Sequence, residues 1–156
     1  MPYELDEIDK NLIRLLQEDG RLSAKQLAAK LHRSPNPLYV RLKRLQDEGF
    51  IKQYSVILDP KKIGLSLIAY TQVQIKPHSQ ENLQAFRDEV VKLPEVVECS
   101  HLTGKFDFLL KIAVKGMDEY NHLLMEKLAR LPKVDNMESL FVMSQAKYGC
   151  HFPIPQ

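Results

Sequence analysis

The sequence predicts an α+β fold in two parts: an N-terminal winged helix-turn-helix and a C-terminal ferredoxin-like β-α-β-β-α-β unit. Three observations carry the prediction. Residues 1–50 hold three apolar stripes at helical spacing, each opened by a capping residue. The second half repeats itself at an offset of 38 residues. Charge is also concentrated: residues 21–62 hold ten Lys or Arg against three acids, a surplus of +7, although the whole 156-residue chain carries only +2.

Asp6 is placed to N-cap the first helix with Asp9 three residues on, and Ile8, Leu12, Leu15 and Leu16 then share one face. Asp19-Gly20 ends it. Ser23 to Gln26 forms a capping-box pattern, with Leu27, Ala28 and Leu31 as the buried side of a short second helix. After a turn at His32-Arg33, Ser34 offers another N-cap, and Pro35 takes the first helical position, where a missing N–H costs little. This third helix should run to about Glu48 and stop at Gly49, a residue suited to the left-handed C-terminal position.

On the third helix Leu38, Leu42 and Leu45 cluster on one side, with Asn36, Val40 and Lys43 opposite and Tyr39 and Arg44 flanking them. That outer face has the chemistry of a major-groove reader. Asn matches adenine edges, Lys and Arg match guanine or phosphate, and Val or Tyr meets a thymine methyl or the sugar. Arg41 lies nearer the apolar edge, where an acid of the first helix and DNA are both open to it. The run Phe50 to Leu58 is rich in β-branched and aromatic residues and closes at Asp59-Pro60, so it reads as a strand or small wing that includes Lys52.

In the second half Val90, Lys92, Leu93, Pro94 and Val96 align with Leu128, Arg130, Leu131, Pro132 and Val134. Both copies end a helix at Leu-Pro and begin a strand. The expected order is a strand at Leu67–Lys76, a helix from Ser79, a strand at Val96–Leu102 and a turn at Thr103-Gly104-Lys105. A strand at Phe106–Val114, a helix from Met117 or Asp118 and a strand from about Val134 to Ala146 follow. Helices cover only one face of such a sheet, yet its strands carry apolar groups on both, with Leu109, Ala113, Leu140 and Val142 on the second. A second copy of the chain is the simplest cover for that face.

Composition excludes several classes. With 44% hydrophobic and 27% charged residues the chain is of ordinary globular type, and it has no apolar run long enough to cross a membrane. The start Met1-Pro2-Tyr3 lacks the pattern of a secretory signal, so a cytoplasmic location is expected. Cys99 and Cys150 are too far apart for a C-x-x-C pair and are expected as reduced thiols. The five histidines lack metal-ligand spacing, so neither a metal nor any other cofactor is expected. No nucleophile stands beside a base, no glycine loop suits a phosphate, and Glu95 and Glu98 read as solvated carboxylates, which argues against an enzyme.

The chain resembles the Lrp/AsnC ("feast/famine") transcriptional regulators over nearly its full length. The resemblance is carried by Leu5-Asp6-Glu7-Ile8-Asp9, Gly20-Arg21-Leu22-Ser23, Ser34-Pro35, Arg41 to Leu45, Gly49 to Lys52, Leu58-Asp59-Pro60 and Leu102 to Asp107. It implies a helix-turn-helix over residues 1–50, a wing and linker over 51–65, and a RAM-type oligomerisation and effector domain over 66–156. It further implies sequence-specific binding of double-stranded DNA, through Ser34, Asn36, Tyr39, Val40, Lys43, Arg44 and Lys52. Dimers or octamers are implied, with a small effector, usually an amino acid, bound between subunits at the Gly104-x-x-Asp107 turn with Thr103, Phe106 and Ser139. Two places depart from the family: Asn36-Pro37-Leu38 stands where it more often has a small hydroxyl residue, alanine and valine, and Met137-Glu138-Ser139 replaces a hydroxyl-rich pattern on the last strand. The rival expectations are an effector-independent architectural DNA binder of nucleoid type and, more remotely, a small metabolite-sensing module or enzyme.

Overall fold

The computed structural model describes residues 3–147, 149 and 151–155. They form two compact units that divide between Ile57 and Leu58. The first is helical: α1 (Glu7–Glu18), α2 (Ala24–Leu31) and α3 (Pro35–Asp47). The expected Asp6 cap and Ser23–Gln26 capping box are present, and the Asp6 cap is itself a capping box. The Asp6 carboxylate accepts from the Ile8 and Asp9 N–H groups while Asp9 reaches back to the Asp6 N–H, and Ser23 and Gln26 do the same for α2. Leu12, Leu27, Ala28, Leu38 and Leu45 close the core between the helices. Gly49 ends α3 at φ +78°, a conformation a side chain would strain.

Ser34 occupies the N-cap position of α3, but its hydroxyl makes no capping bond. A cap accepts from the second or third helical N–H; Pro37 at the third position has none to give, which leaves Asn36 as the one possible donor.

Asp9 has no exposed surface, and its side chain ties α1 to α3. One oxygen takes the Arg41 guanidinium at 3.0 Å; the other takes the Tyr3 hydroxyl at 2.5 Å and the Asp6 N–H at 3.2 Å. Arg41 also reaches Asp6 at 2.5 Å. Of the two partners open to Arg41 in the sequence, the structure therefore shows the acids of α1. Burial alone would lift the Asp6 carboxyl, but the Asp9 N–H and Arg41 outweigh it and hold the group below its ordinary range.

The expected wing strand is absent: residues 50–58 form no ladder, and Val56, Ile57 and Leu58 are exposed. Their β-branched side chains favour a strand only where a neighbouring strand supplies hydrogen bonds, and none of the described residues does so here. Asp59 then caps a single tight turn, Pro60–Ile63, by accepting from the Lys61 N–H.

The second unit is the expected β-α-β-β-α-β: β1 (Leu67–Ile75), α4 (Gln80–Val90), β2 (Val96–His101), β3 (Phe108–Val114), α5 (Met117–His122) and β4 (Val134–Phe141). The sheet order is β2-β3-β1-β4, antiparallel throughout. β2 and β4 start 38 residues apart, as the repeat requires. α5 continues through a wider i→i+5 turn at Leu123–Lys127 and a tight one at Leu128–Arg130. Ala69, Val73, Phe108, Leu110 and Ile112 face the helices and pack with Phe86, Tyr120 and Leu128. The opposite face carries Ile68, Tyr70 and Leu109, with Leu140 more than half exposed.

Three boundaries differ from the sequence reading. β3 starts at Phe108 rather than Phe106, because Asp107 is occupied in a turn described below. β4 ends at Phe141 rather than Ala146, because its partner β1 begins at Leu67 and only the Val142 N–H still reaches Ile68. The tail from Lys147 onward groups with the helical unit rather than the sheet, and Phe152 exchanges two backbone hydrogen bonds with the Gln17 amide of α1.

Replacing Asp9 by Ala leaves the Tyr3 hydroxyl without its acceptor and Arg41 with Asp6 alone. It should destabilise the helical unit by about 2 kcal/mol in urea unfolding followed by circular dichroism. Asp6 is depressed only in the folded unit, so its contribution is complete above the unfolded aspartate value and fades as pH falls through it. The unfolding midpoint of the helical unit should therefore drop below about pH 4, and Asp6→Asn should flatten that dependence.

Candidate nucleic-acid interface and effector turn

The buried Leu38 and Leu45 turn α3 so that its other side is open. Tyr39 and Val40 are 61% and 60% exposed, and Ser34, Asn36, Lys43 and Lys52 are exposed with them. Lys43 and Lys52 form no ion pair with a described residue. Arg44 is placed differently: its guanidinium lies 5.0 Å from the centre of the Tyr3 ring, a cation–π contact within the helical unit. Of the ten basic groups in residues 21–62, Arg21 and Arg41 are paired to carboxylates inside the unit.

At the β2–β3 turn, Thr103 and Gly104 are exposed and Phe106 and Asp107 are buried. Gly104 sits at φ +115° with open space where a Cβ would point, so glycine is needed for its backbone and not for room. Lys105 lies over the Phe106 ring at 5.0 Å.

Asp107 is held on every side. Its N–H donates to the Val73 carbonyl at 2.9 Å and its carbonyl accepts from the Leu102 N–H at 2.8 Å. One carboxylate oxygen accepts from the Ile75 N–H at 2.7 Å, and the other meets Nδ1 of His78 at 2.9 Å.

Ser139 does not join this turn within one chain. It lies on β4, beyond β1, where its Oγ accepts from the Tyr120 hydroxyl, itself 2.7 Å from Thr71 Oγ1. A groove of about 280 Å³ opens beside Ser139, walled by Leu124, Met125, Val134 and Met137. The sequence reading misses Tyr120 and Thr71, and also His78. Helical and strand spacing put Tyr120 and Thr71 in the core without showing that their hydroxyls meet, and nothing local marks His78.

Glu95 and Glu98 do not form a carboxylate pair. Glu95 takes Lys127 and Glu98 takes Lys111. Cys99 is a free thiol, half-buried against the sheet core, and that burial raises its pKa; Cys150 lies outside the described residues. Among the described residues no cluster of three or more His, Cys, Asp or Glu is arranged to hold a metal. Among the described residues no helix is long and apolar enough to cross a membrane.

An exposed polar-aromatic helix on a capped three-helix unit, joined to a sheet unit with a glycine turn, defines a DNA-binding head on a ligand-binding domain. Family models agree segment by segment. The "Winged helix-turn-helix DNA-binding" model matches residues 5–52, and the "Lrp/AsnC ligand binding domain" model matches residues 68–151. The transcriptional regulator AzlB of Bacillus subtilis is 35% identical over 156 residues, covering 100% of this chain and 99% of its own. The leucine-responsive regulatory protein of Escherichia coli is 37% identical over 144 residues, covering 92% and 88%. A transcriptional regulator of Neisseria meningitidis, solved as its L-Met complex, superposes with a TM-score of 0.90 at 33% identity, covering 96% and 97%. The chain belongs to the Lrp/AsnC family of transcriptional regulators, and these relatives are regulators, not enzymes.

Because Asp107 accepts a buried backbone N–H, Asp107→Ala should cost the sheet unit about 1–3 kcal/mol in chemical denaturation even without ligand. Asp107→Asn keeps an acceptor for Ile75 and should cost clearly less, a contrast readable from the two urea midpoints.

Proposed function

We propose that the chain reads a specific sequence of double-stranded DNA in the cytoplasm and regulates transcription there. In this reading it works as a homodimer or octamer joined through the open sheet face, with an amino acid bound between subunits at the Gly104–Asp107 turn. The observation that carries the DNA half is the outward side of α3, where Asn36, Tyr39, Val40 and Lys43 stand open on a helix whose other side is sealed by leucines. Asn36 and Lys43 supply base-edge and phosphate chemistry, Tyr39 and Val40 supply apolar contact, and Ser34, free of its capping duty, is available to a phosphate. Lys52 lies just beyond the helix, where a second backbone contact falls. Arg44 contributes its charge from its place over Tyr3.

The effector half is supported by the turn and by the relatives. The N–H groups of Thr103 and Gly104 make no hydrogen bond to another described residue, so they are open to a carboxylate, while Asp107 three residues on offers a carboxylate to an ammonium group. The Neisseria relative, 33% identical, was solved with L-Met. Ser139 reaches such a site only if a neighbouring subunit brings it there. Coupling requires that the amino acid bind two arrangements of the assembly unequally.

Gel-shift titration of DNA from upstream of the chain's own coding region, against random DNA at several salt concentrations, tests the first half. The own-promoter fragment should bind more tightly, and Lys43→Ala should weaken binding and reduce the salt slope by about 1 without changing stability. Equal affinity for both DNAs favours the architectural, nucleoid-type reading instead. Thermal denaturation with each of the twenty amino acids tests the second half, since a ligand of the native state must raise the midpoint.

A further inference from the structure

We propose that His78 competes with the effector for Asp107 and so sets the affinity of the site; this rests on the effector reading above. The Asp107 side chain keeps 9% of its surface exposed, and one of its oxygens is committed to the Ile75 N–H. The remaining oxygen is the one an ammonium group would need, and His78 Nδ1 stands 2.9 Å from it.

The two groups differ in how firmly they are held. The Ile75 N–H belongs to the main chain at the end of β1, so it stays with the carboxylate. His78 is 65% exposed and its one partner among the described residues is Asp107, so its imidazole can swing into solvent at little cost. An incoming α-ammonium is a stronger, three-donor partner and would take the vacated position, while the open Thr103 and Gly104 N–H groups receive the carboxylate. The histidine thus keeps the carboxylate paired when the site is empty, and it must be displaced whenever a ligand cation arrives. The nearby lysines leave the competition to His78: Lys76 is paired with Asp135 at 2.7 Å and Lys105 lies over Phe106.

Competition predicts opposite effects from two substitutions at one exposed position. His78→Ala removes the competitor, and each amino acid that binds wild-type protein in isothermal titration should bind the variant about two- to fivefold more tightly. His78→Lys replaces it by a permanent cation and should weaken the same amino acids by a similar factor. The titration uses the full chain with each of the twenty amino acids, L-methionine and L-leucine first. A scaffold role for His78 would instead weaken binding in both variants, and unchanged binding would remove it from the site; either result overturns the proposal while leaving the effector reading in place. Absence of binding by all twenty to wild type and both variants overturns the effector reading and this proposal together.

Discussion

A carboxylate with no exposed surface one turn into a helix is costly unless every lone pair is used, and Asp9 uses them on three different parts of the chain. It completes the cap of α1 through Asp6, accepts from Tyr3 ahead of the helix and holds Arg41 in the middle of α3. The apolar contacts among Leu12, Leu27, Leu38 and Leu45 bring the helices together, but contacts of that kind tolerate sliding and rotation. The Arg41 ion pair, one nitrogen shared between Asp6 and Asp9, does not. It fixes which side of α3 faces inward, and so leaves Asn36, Val40 and Lys43 outward. Tyr3, positioned by the same carboxylate, then carries Arg44 on its ring.

The sheet unit relies on a comparable polar tie inside an otherwise apolar layer. Thr71 on the central β1, Tyr120 on α5 and Ser139 on the edge strand β4 form one chain of hydroxyls. Each bonds the next, so the buried Thr71 and Tyr120 hydroxyls have partners inside the layer, with the half-buried Ser139 at the end of the line. The chain links the edge strand to the helix layer at the Thr71–Ser139 pair of the β1–β4 ladder. Phe141, edge-on to Tyr120 at 5.1 Å, covers the outer end of that link.

Much of this was legible in the residues. Both caps could be read from Asp6-Asp9 and Ser23-Gln26, because a cap is a contact over three residues. The 38-residue repeat placed Val96 and Val134 at strand starts for the same local reason. What escaped was long-range or depended on a missing neighbour. Asp107 could be recognised as a carboxylate beside a glycine turn, but its bond to Ile75 spans 32 positions and only the folded register shows it. The β-rich letters of residues 50–58 state a preference that no neighbouring strand satisfies. Ser34 sits at a cap position, but Pro37 withdraws one of the two donors a cap can use. The open side of α3, proposed above to meet DNA, was the easiest to anticipate, since one helix carries it; the proposed grouping of Ser139 with the turn was the hardest, since within one chain the two lie apart.

The tie between Gln17 and Phe152 reaches across 135 positions. Its two partners therefore leave the ribosome far apart in time. The three helices and their core can form as soon as α3 is made, but the Gln17 amide finds Phe152 only after the entire sheet unit has been synthesised. The helical unit is thus begun first and finished last. Cutting the chain after Ile57 removes part of that unit along with the sheet, even though all three helices remain.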